Sequence, residues 1–254
     1  SIYNLRALES GEIDLAIAQS DWSFHALNGY SVFDGEGMTG AFRGIGALYV
    51  EAVTILAAQD SGITRAMDLV GRRIDIGHPA SGRRATVQVA LDALALDTDA
   101  FAEIAEFSDD AAIEALCTGG IDATILTLGH PSALVRQAVE GCGARLVPLA
   151  GPAVKSLIDR APYYVLTDVP AGTYEGQDEP VATFGVRAFL LARTSLDDAV
   201  VSRLAEELLA VTSTGAPMPA VMTEVTPADL PEVRSLVPLH RAAQETYRAA
   251  GLIE

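Results

Sequence analysis

From residue 72 the sequence repeats one alternation four times: a short apolar run, a turn, then a helical pattern. Strands are expected at 72–77, 103–107, 121–127 and 145–149, with helices at 83–96, 109–118, 132–140 and 151–160. β-Prone runs joined by helices about ten residues long build parallel strands with helices packed on both faces. The fold class is therefore α/β, with a parallel, doubly covered sheet at its centre.

Strand and helix patterns also lie on both sides of this block. A helix over 1–10 ends at Gly11, followed by a strand at 13–18, a short segment at 21–28 and a Gly-rich loop at 29–40. The β-prone run "GIGALYVEAVTILAA" comes next, then a short helix in 61–71 capped by Ser61 or Thr64. Pro170, Gly172, Gly176 and Pro180 mark 163–180 as irregular, and "VATFGVRAFLLAR" is a further strand. Helices are expected at 196–212, 218–224 and 237–250. The simplest arrangement is a discontinuous lobe, 1–71 plus 180–254, with 72–179 inserted as a second α/β lobe. A cleft between two such lobes is a natural ligand site.

Composition narrows the function classes. Half of the 254 residues are apolar, enough to bury a sizeable core, and the net charge of −17 repels phosphate backbones. No nucleic-acid partner is expected. No apolar run reaches the length of a membrane span. The first residues, "SIYNLRALESGEIDLAIAQS", carry neither a basic region nor an apolar core of an export signal. Cys117 and Cys142 fit no metal spacing, and a disulfide or two inert thiols both stay open.

The strongest ligand motif is "GHPASGRR" (77–84), which follows a strand and opens a helix. Helix N-termini favour anions through free N–H groups and the macrodipole. Arg83 and Arg84 are otherwise unhelpful at the positive end of that dipole. A carboxylate held by Ala80, Ser81, Gly82, Arg83 and Arg84 would account for them; two arginines paired with nearby acids in solvent would do so as well. The motif is not a nucleotide P-loop.

Gln19, Ser20 and Asp21 end another strand, where α/β folds keep their ligand crevices, although Asp21 is also a candidate helix cap. Gly129, His130 and Pro131 form a third strand-end turn, in which His130 either bonds a ligand carboxylate or satisfies the turn. Tyr49, Glu51 and Tyr163 sit where cleft walls are expected, and plain packing explains them equally. The four histidines are scattered, Ser81 has no evident base, and no G-x-S-x-G or H-E-x-x-H motif occurs. Neither an enzyme nor a metal or cofactor is implied.

The segments "NLRALESGEIDLAIAQSD", "GHPASGRRATVQVALDAL", "GGIDATILTLGHP" and "VPAGTYEGQDEPVATFGVRAFLLAR" resemble the TAXI family of solute-binding proteins from tripartite (TRAP) transporters. The resemblance covers nearly the whole chain, and the Tyr-Glu-Gly-Gln-Asp element is its most specific part. It implies a type II periplasmic-binding-protein fold whose two lobes close on ligand, a periplasmic location, and delivery to TRAP membrane subunits. It further implies a small organic-acid or amino-acid ligand such as glutamate or a 2-oxoglutarate-like dicarboxylate. Two departures stand out: the family's opening strand and Gly-rich turn are missing, and Arg83 follows Ser-Gly where a small residue is usual. A further N-terminal βα segment, preceded by an export signal in the precursor, is therefore expected. An effector domain of a regulator, or an enzyme on the same fold, is the competing reading.

Overall fold

A computed structural model describes residues 1–38, 40–79, 81–214 and 217–254. The chain divides into two compact units, Ser1–Tyr49 with Val186–Glu254, and Val50–Gly185. The sequence rhythm sets the borders at 71/72 and 179/180 instead. The difference arises because the two long strands Phe42–Ala57 (β2) and Val181–Arg193 (β8) each contribute to both units. An uninterrupted apolar strand carries no signal of the point at which its neighbours change.

In the first unit, helix α1 (Ile2–Ser10) buries Leu5 and Leu8, residues three apart on one helical face. Gly11 then takes the left-handed conformation (φ 78°) that ends the helix. Strand β1 (Leu15–Gln19) pairs antiparallel with β8 from Leu15↔Ala192 to Gln19↔Ala188. Its alternate residues Ala16 and Ala18 are buried while Leu15 and Ile17 stay exposed. The segment expected at 21–28 is a full helix, α2 (Ser20–Asn28). The core of this unit gathers Ile45, Leu48, Val201, Ala205, Leu230 and Tyr247 around helices α7 (Asp198–Thr214) and α8 (Arg241–Ala249). Tyr247 is wholly buried, and its hydroxyl donates to the Ile45 carbonyl at 2.7 Å.

The second unit holds β3 (Arg73–Asp75), α3 (Gly82–Ala93), β4 (Glu103–Ala105), α4 (Asp109–Cys117), β5 (Ala123–Leu128), α5 (Ala133–Cys142), β6 (Arg145–Val147), α6 (Pro152–Arg160) and β7 (Tyr164–Val169). Strand β3 pairs parallel with both β4 and β5. The expectation of a wholly parallel sheet needs correcting: β2 lies antiparallel to both β5 and β6. Helical crossovers fix the direction of the strands they join. They say nothing about a strand that enters from outside the repeat, and β2 is that strand.

Three further readings change. The helix expected in 61–71 is a short 3-10 turn, Ala66–Leu69, capped at Arg65 rather than at Ser61 or Thr64. The Asp68 carboxylate accepts the N–H groups of Thr64 and Arg65 at the start of the turn, and Val70 leaves helical geometry (ψ 129°) to end it. Region 163–180 begins with the ordered strand β7, which pairs with β8; its exposed–buried alternation was hidden by the Pro- and Gly-rich turn that follows. The helix expected at 218–224 is a three-residue 3-10 turn, Ala220–Met222.

Cys117 and Cys142 form a disulfide that joins the C-terminal ends of α4 and α5. Among the described residues no helix is long and apolar enough to cross a membrane.

Candidate functional site

Because β3, β4 and β5 run parallel, their C-terminal ends lie along one edge of the second unit, and α3, α4 and α5 all begin there. This is where open α/β sheets place ligand crevices. Two of the sequence-derived motifs meet at this edge: Ser81–Arg84 opens α3, and Gly129–Pro131 leads from β5 into α5. Ala80 lies outside the described residues.

Ser81 is the cap of α3. Its hydroxyl accepts the Arg84 N–H at 3.1 Å and donates to the His78 carbonyl at 2.7 Å. Gly82 and Arg83 are the first helical residues, whose N–H groups precede the intrahelical ladder. The Arg84 side chain is about one-fifth exposed, donates to Gln88 Oε1 at 3.0 Å and lies 3.6 Å from Glu106. Its Nε, the atom nearest Glu106, is buried and makes no hydrogen bond among the described residues.

Arg83 takes the opposite course from the outward, anion-facing arginine expected. Its side chain turns inward and is only 6% exposed. Nε donates to the Ile125 carbonyl at 2.7 Å, Nη1 to Asp109 at 2.9 Å, and Nη2 to both Asp75 and Thr124. Asp75 is fully buried, and its other oxygen accepts the N–H groups of Gly77 and Phe107. One ion pair thus ties together the loops that follow β3 and β4, the strand β5 and the starts of α3 and α4. A buried carboxylate needs such saturation, since an unpaired one costs several kcal/mol. The sequence signal for this role is an acid at the end of a strand eight residues before an arginine.

His130 satisfies its turn. Its Nε2 is 2.8 Å from Thr54 Oγ1 and its Nδ1 is 2.6 Å from the Tyr174 hydroxyl, which also accepts the Ser132 N–H at 2.8 Å. Burial lowers the His130 pKa to about 4 and raises that of Tyr174 to about 12. The imidazole is therefore neutral at pH 7. Tyr174 belongs to the Tyr-Glu-Gly-Gln-Asp element, and Gln177 of the same element donates through its amide to the carbonyls of Val169, Pro170 and Glu179. Neither Tyr174 nor Thr54 was expected at this edge. The specific element was the available signal.

The remaining candidates belong to other elements, and the antiparallel register Ala52↔Leu128 carries Glu51 of β2 to the end of β5. Gln19, Ser20 and Asp21 belong to the first unit, at the junction of β1 and α2, and all three are buried. Gln19 is the N-cap of α2, so Asp21 is not the cap; it stands in the first turn, where a negative charge suits the helix dipole. The Ser20 hydroxyl accepts the Arg187 N–H at 3.0 Å. Tyr49 is half-buried against the first unit's core. The carbonyl of Glu51 abuts Gly185 in the second unit. Tyr163 packs edge-on against Tyr164, just ahead of β7. Among the described residues no group of three or more His, Cys, Asp or Glu is placed to hold a metal ion.

The chain belongs to the NMT1-like family, which matches residues 1–251. Its fold is similar to that of PhnD1 from Prochlorococcus marinus (MIT 9301), solved in complex with methylphosphonate. The two share 12% identity at a TM-score of 0.52, over 99% of this chain and 84% of that one. It is also similar to the periplasmic sulfonate-binding protein SsuA from Methylobacillus flagellatus KT, with 13% identity and a TM-score of 0.52 over 97% of this chain and 68% of that one. The α/β fold class read from the sequence is theirs.

Proposed function

We propose that this protein is a periplasmic solute receptor that captures a small organic anion and delivers it to the membrane subunits of a TRAP transporter. The observation that carries the reading is the start of α3, where Ser81 takes one N–H, those of Gly82 and Arg83 precede the helical ladder, and Arg84 stands on the same turn. Donors and a cation at a helix N-terminus favour a carboxylate. The TAXI assignment and a glutamate- or 2-oxoglutarate-like ligand rest on the resemblance of the four segments quoted above. The disulfide supports an oxidising compartment such as the periplasm.

A binder rather than an enzyme fits the edge. The Ser81 hydroxyl is committed to the cap and to the His78 carbonyl, and neutral His130 has both ring nitrogens engaged. Neither offers a nucleophile with a base.

A thermal-shift screen of amino acids, 2-oxo acids, dicarboxylates, sulfonates and phosphonates tests the proposal. A ligand at about 1,000 times its dissociation constant adds roughly 4 kcal/mol to the state that binds it. Stabilisation by sugars or cations alone, with none by any organic anion, would refute it. Substitutions at Gln19, Ser20, Asp21, Tyr49, Glu51 and Tyr163 then ask whether these positions also touch the ligand.

A further inference from the structure

We infer that Tyr174 is a positioning residue for the α5 end of this edge: through its hydroxyl it holds His130 as the Nε2–H tautomer and thereby fixes the turn from which α5 starts. The inference rests on the proposed site for its effect on binding, but not for its chemistry.

The argument is one of proton accounting. The Tyr174 oxygen accepts the Ser132 N–H, so its own proton is free to point at His130 Nδ1, 2.6 Å away. That nitrogen must then be unprotonated. The imidazole proton sits on Nε2 and is donated to Thr54 Oγ1 at 2.8 Å, whose proton in turn goes to the Ala52 carbonyl at 3.1 Å. Every donor in the chain Ser132, Tyr174, His130, Thr54 has an acceptor. The opposite tautomer breaks this order. His130 Nδ1–H would point at an oxygen already taking the Ser132 N–H, and the Tyr174 proton would have no acceptor among the described contacts. Thr54 would have to turn from Ala52 to Nε2. A buried donor left unmade is costly, so the first order wins.

The chain joins three pieces of the second unit: β2 at Thr54, the turn 129–132, and the 170–177 turn carrying Tyr174. The Ser132 N–H immediately precedes α5, so the Tyr174 hydroxyl is bound directly to the start of that helix. The charged or titratable groups around it are His130 itself and Arg136 on α5, whose charge acts on Tyr174. Burial alone, with no carboxylate involved, sets the His130 shift. Acid would protonate Nδ1 and turn it into a donor facing a donor.

With only four histidines, nitrogen-15 labelling of His in the full chain resolves the tautomer directly. The parent is expected to show a neutral Nε2–H imidazole for His130, identified by its loss in His130→Gln, with a midpoint near 4. In Tyr174→Phe, which keeps the buried ring, the Nδ1 signal should move. Thr54→Val should displace the Nε2 signal, and Thr54→Ser should restore it, which keeps the test decisive if Tyr174→Phe does not fold. Titrated with 2-oxoglutarate, Tyr174→Phe should bind about 2- to 10-fold more weakly, the size of one lost hydrogen bond. An Nδ1–H imidazole in the parent, or unchanged His130 signals in Tyr174→Phe, would overturn the inference. Equal 2-oxoglutarate affinity alongside altered signals would overturn the positioning role. Absence of 2-oxoglutarate binding in the parent counts against the ligand reading alone, and the nitrogen signals still decide for Tyr174.

Discussion

Arg83 reaches from the first turn of α3 to the end of β3 and pairs there with Asp75, a carboxylate with no exposure to solvent. Breaking one side of a buried pair leaves the other charge unmatched, at a cost of about 3–5 kcal/mol. Asp75→Ala and Arg83→Ala should each lower unfolding stability by that order in urea titrations. Arg84→Ala should leave stability within about 0.5 kcal/mol of the parent.

Affinity should divide the two arginines the other way. In the proposed site Arg84 would have to exchange its contacts with Gln88 and Glu106 for the ligand, and a hydrogen bond to a charged group contributes about 1.5–3 kcal/mol. Arg84→Ala should weaken binding of the anion found by thermal shift roughly 10- to 100-fold by calorimetry. An unaltered affinity would leave backbone N–H groups as the whole anion site.

The Cys117–Cys142 bond spans 25 residues. Loop-closure entropy for such a span corresponds to about 3–4 kcal/mol. The Cys117→Ser/Cys142→Ser double variant should lose that much stability, and dithiothreitol should lower the melting temperature of the parent but not of the variant.

Acid should destabilise the second unit through His130. Its pKa is lowered by burial from 6.5 to about 4, so between those values the unfolded chain binds more protons than the folded one. The contribution is complete above pH 6.5 and is lost as pH falls toward 4, by up to about 3 kcal/mol. Replacing His130 with Gln should flatten the slope of stability against pH in that window. A slope equal to that of the parent would assign the acid sensitivity to other groups.

Gly185 on β8 lies close against the β2 backbone at Glu51. A Cβ there would collide with the Glu51 carbonyl oxygen and stand 2.9 Å from Val50 Cγ1. Gly185→Ala should cost about 1–3 kcal/mol from overpacking, measured by urea unfolding.

The alternation of apolar runs and helices disclosed α3 to α6 and the strands before them, because each helix buries one face at regular spacing. Strand β8 was legible over its whole length, since thirteen apolar-rich residues without Pro have few other uses. The antiparallel insertion of β2 was not, because strand direction depends on where the chain comes from. At the edge, the helix start that follows Ser81 was readable from local chemistry. The inward turn of Arg83 was not: it depends on Asp75, Asp109 and Thr124, which reach it only when β3, β4 and β5 align. His130 was visible as a turn residue, whereas its partner Tyr174 lies 44 positions away.

The bond between Cys117 and Cys142 also makes a covalent ring of the chain between them. That ring contains β5 with Thr124 and Ile125, which hold Arg83, and the turn carrying His130 and Ser132. When the chain is unfolded, these groups remain tethered within a loop of 25 residues rather than dispersing along it. Each of them finds its partner outside the ring, at Arg83, Thr54 or Tyr174, so the crosslink confines one side of these contacts and leaves the other on the open chain. The crosslink should therefore narrow the conformational search for the β5 side of the edge alone, an effect to be read in refolding yield as well as in final stability.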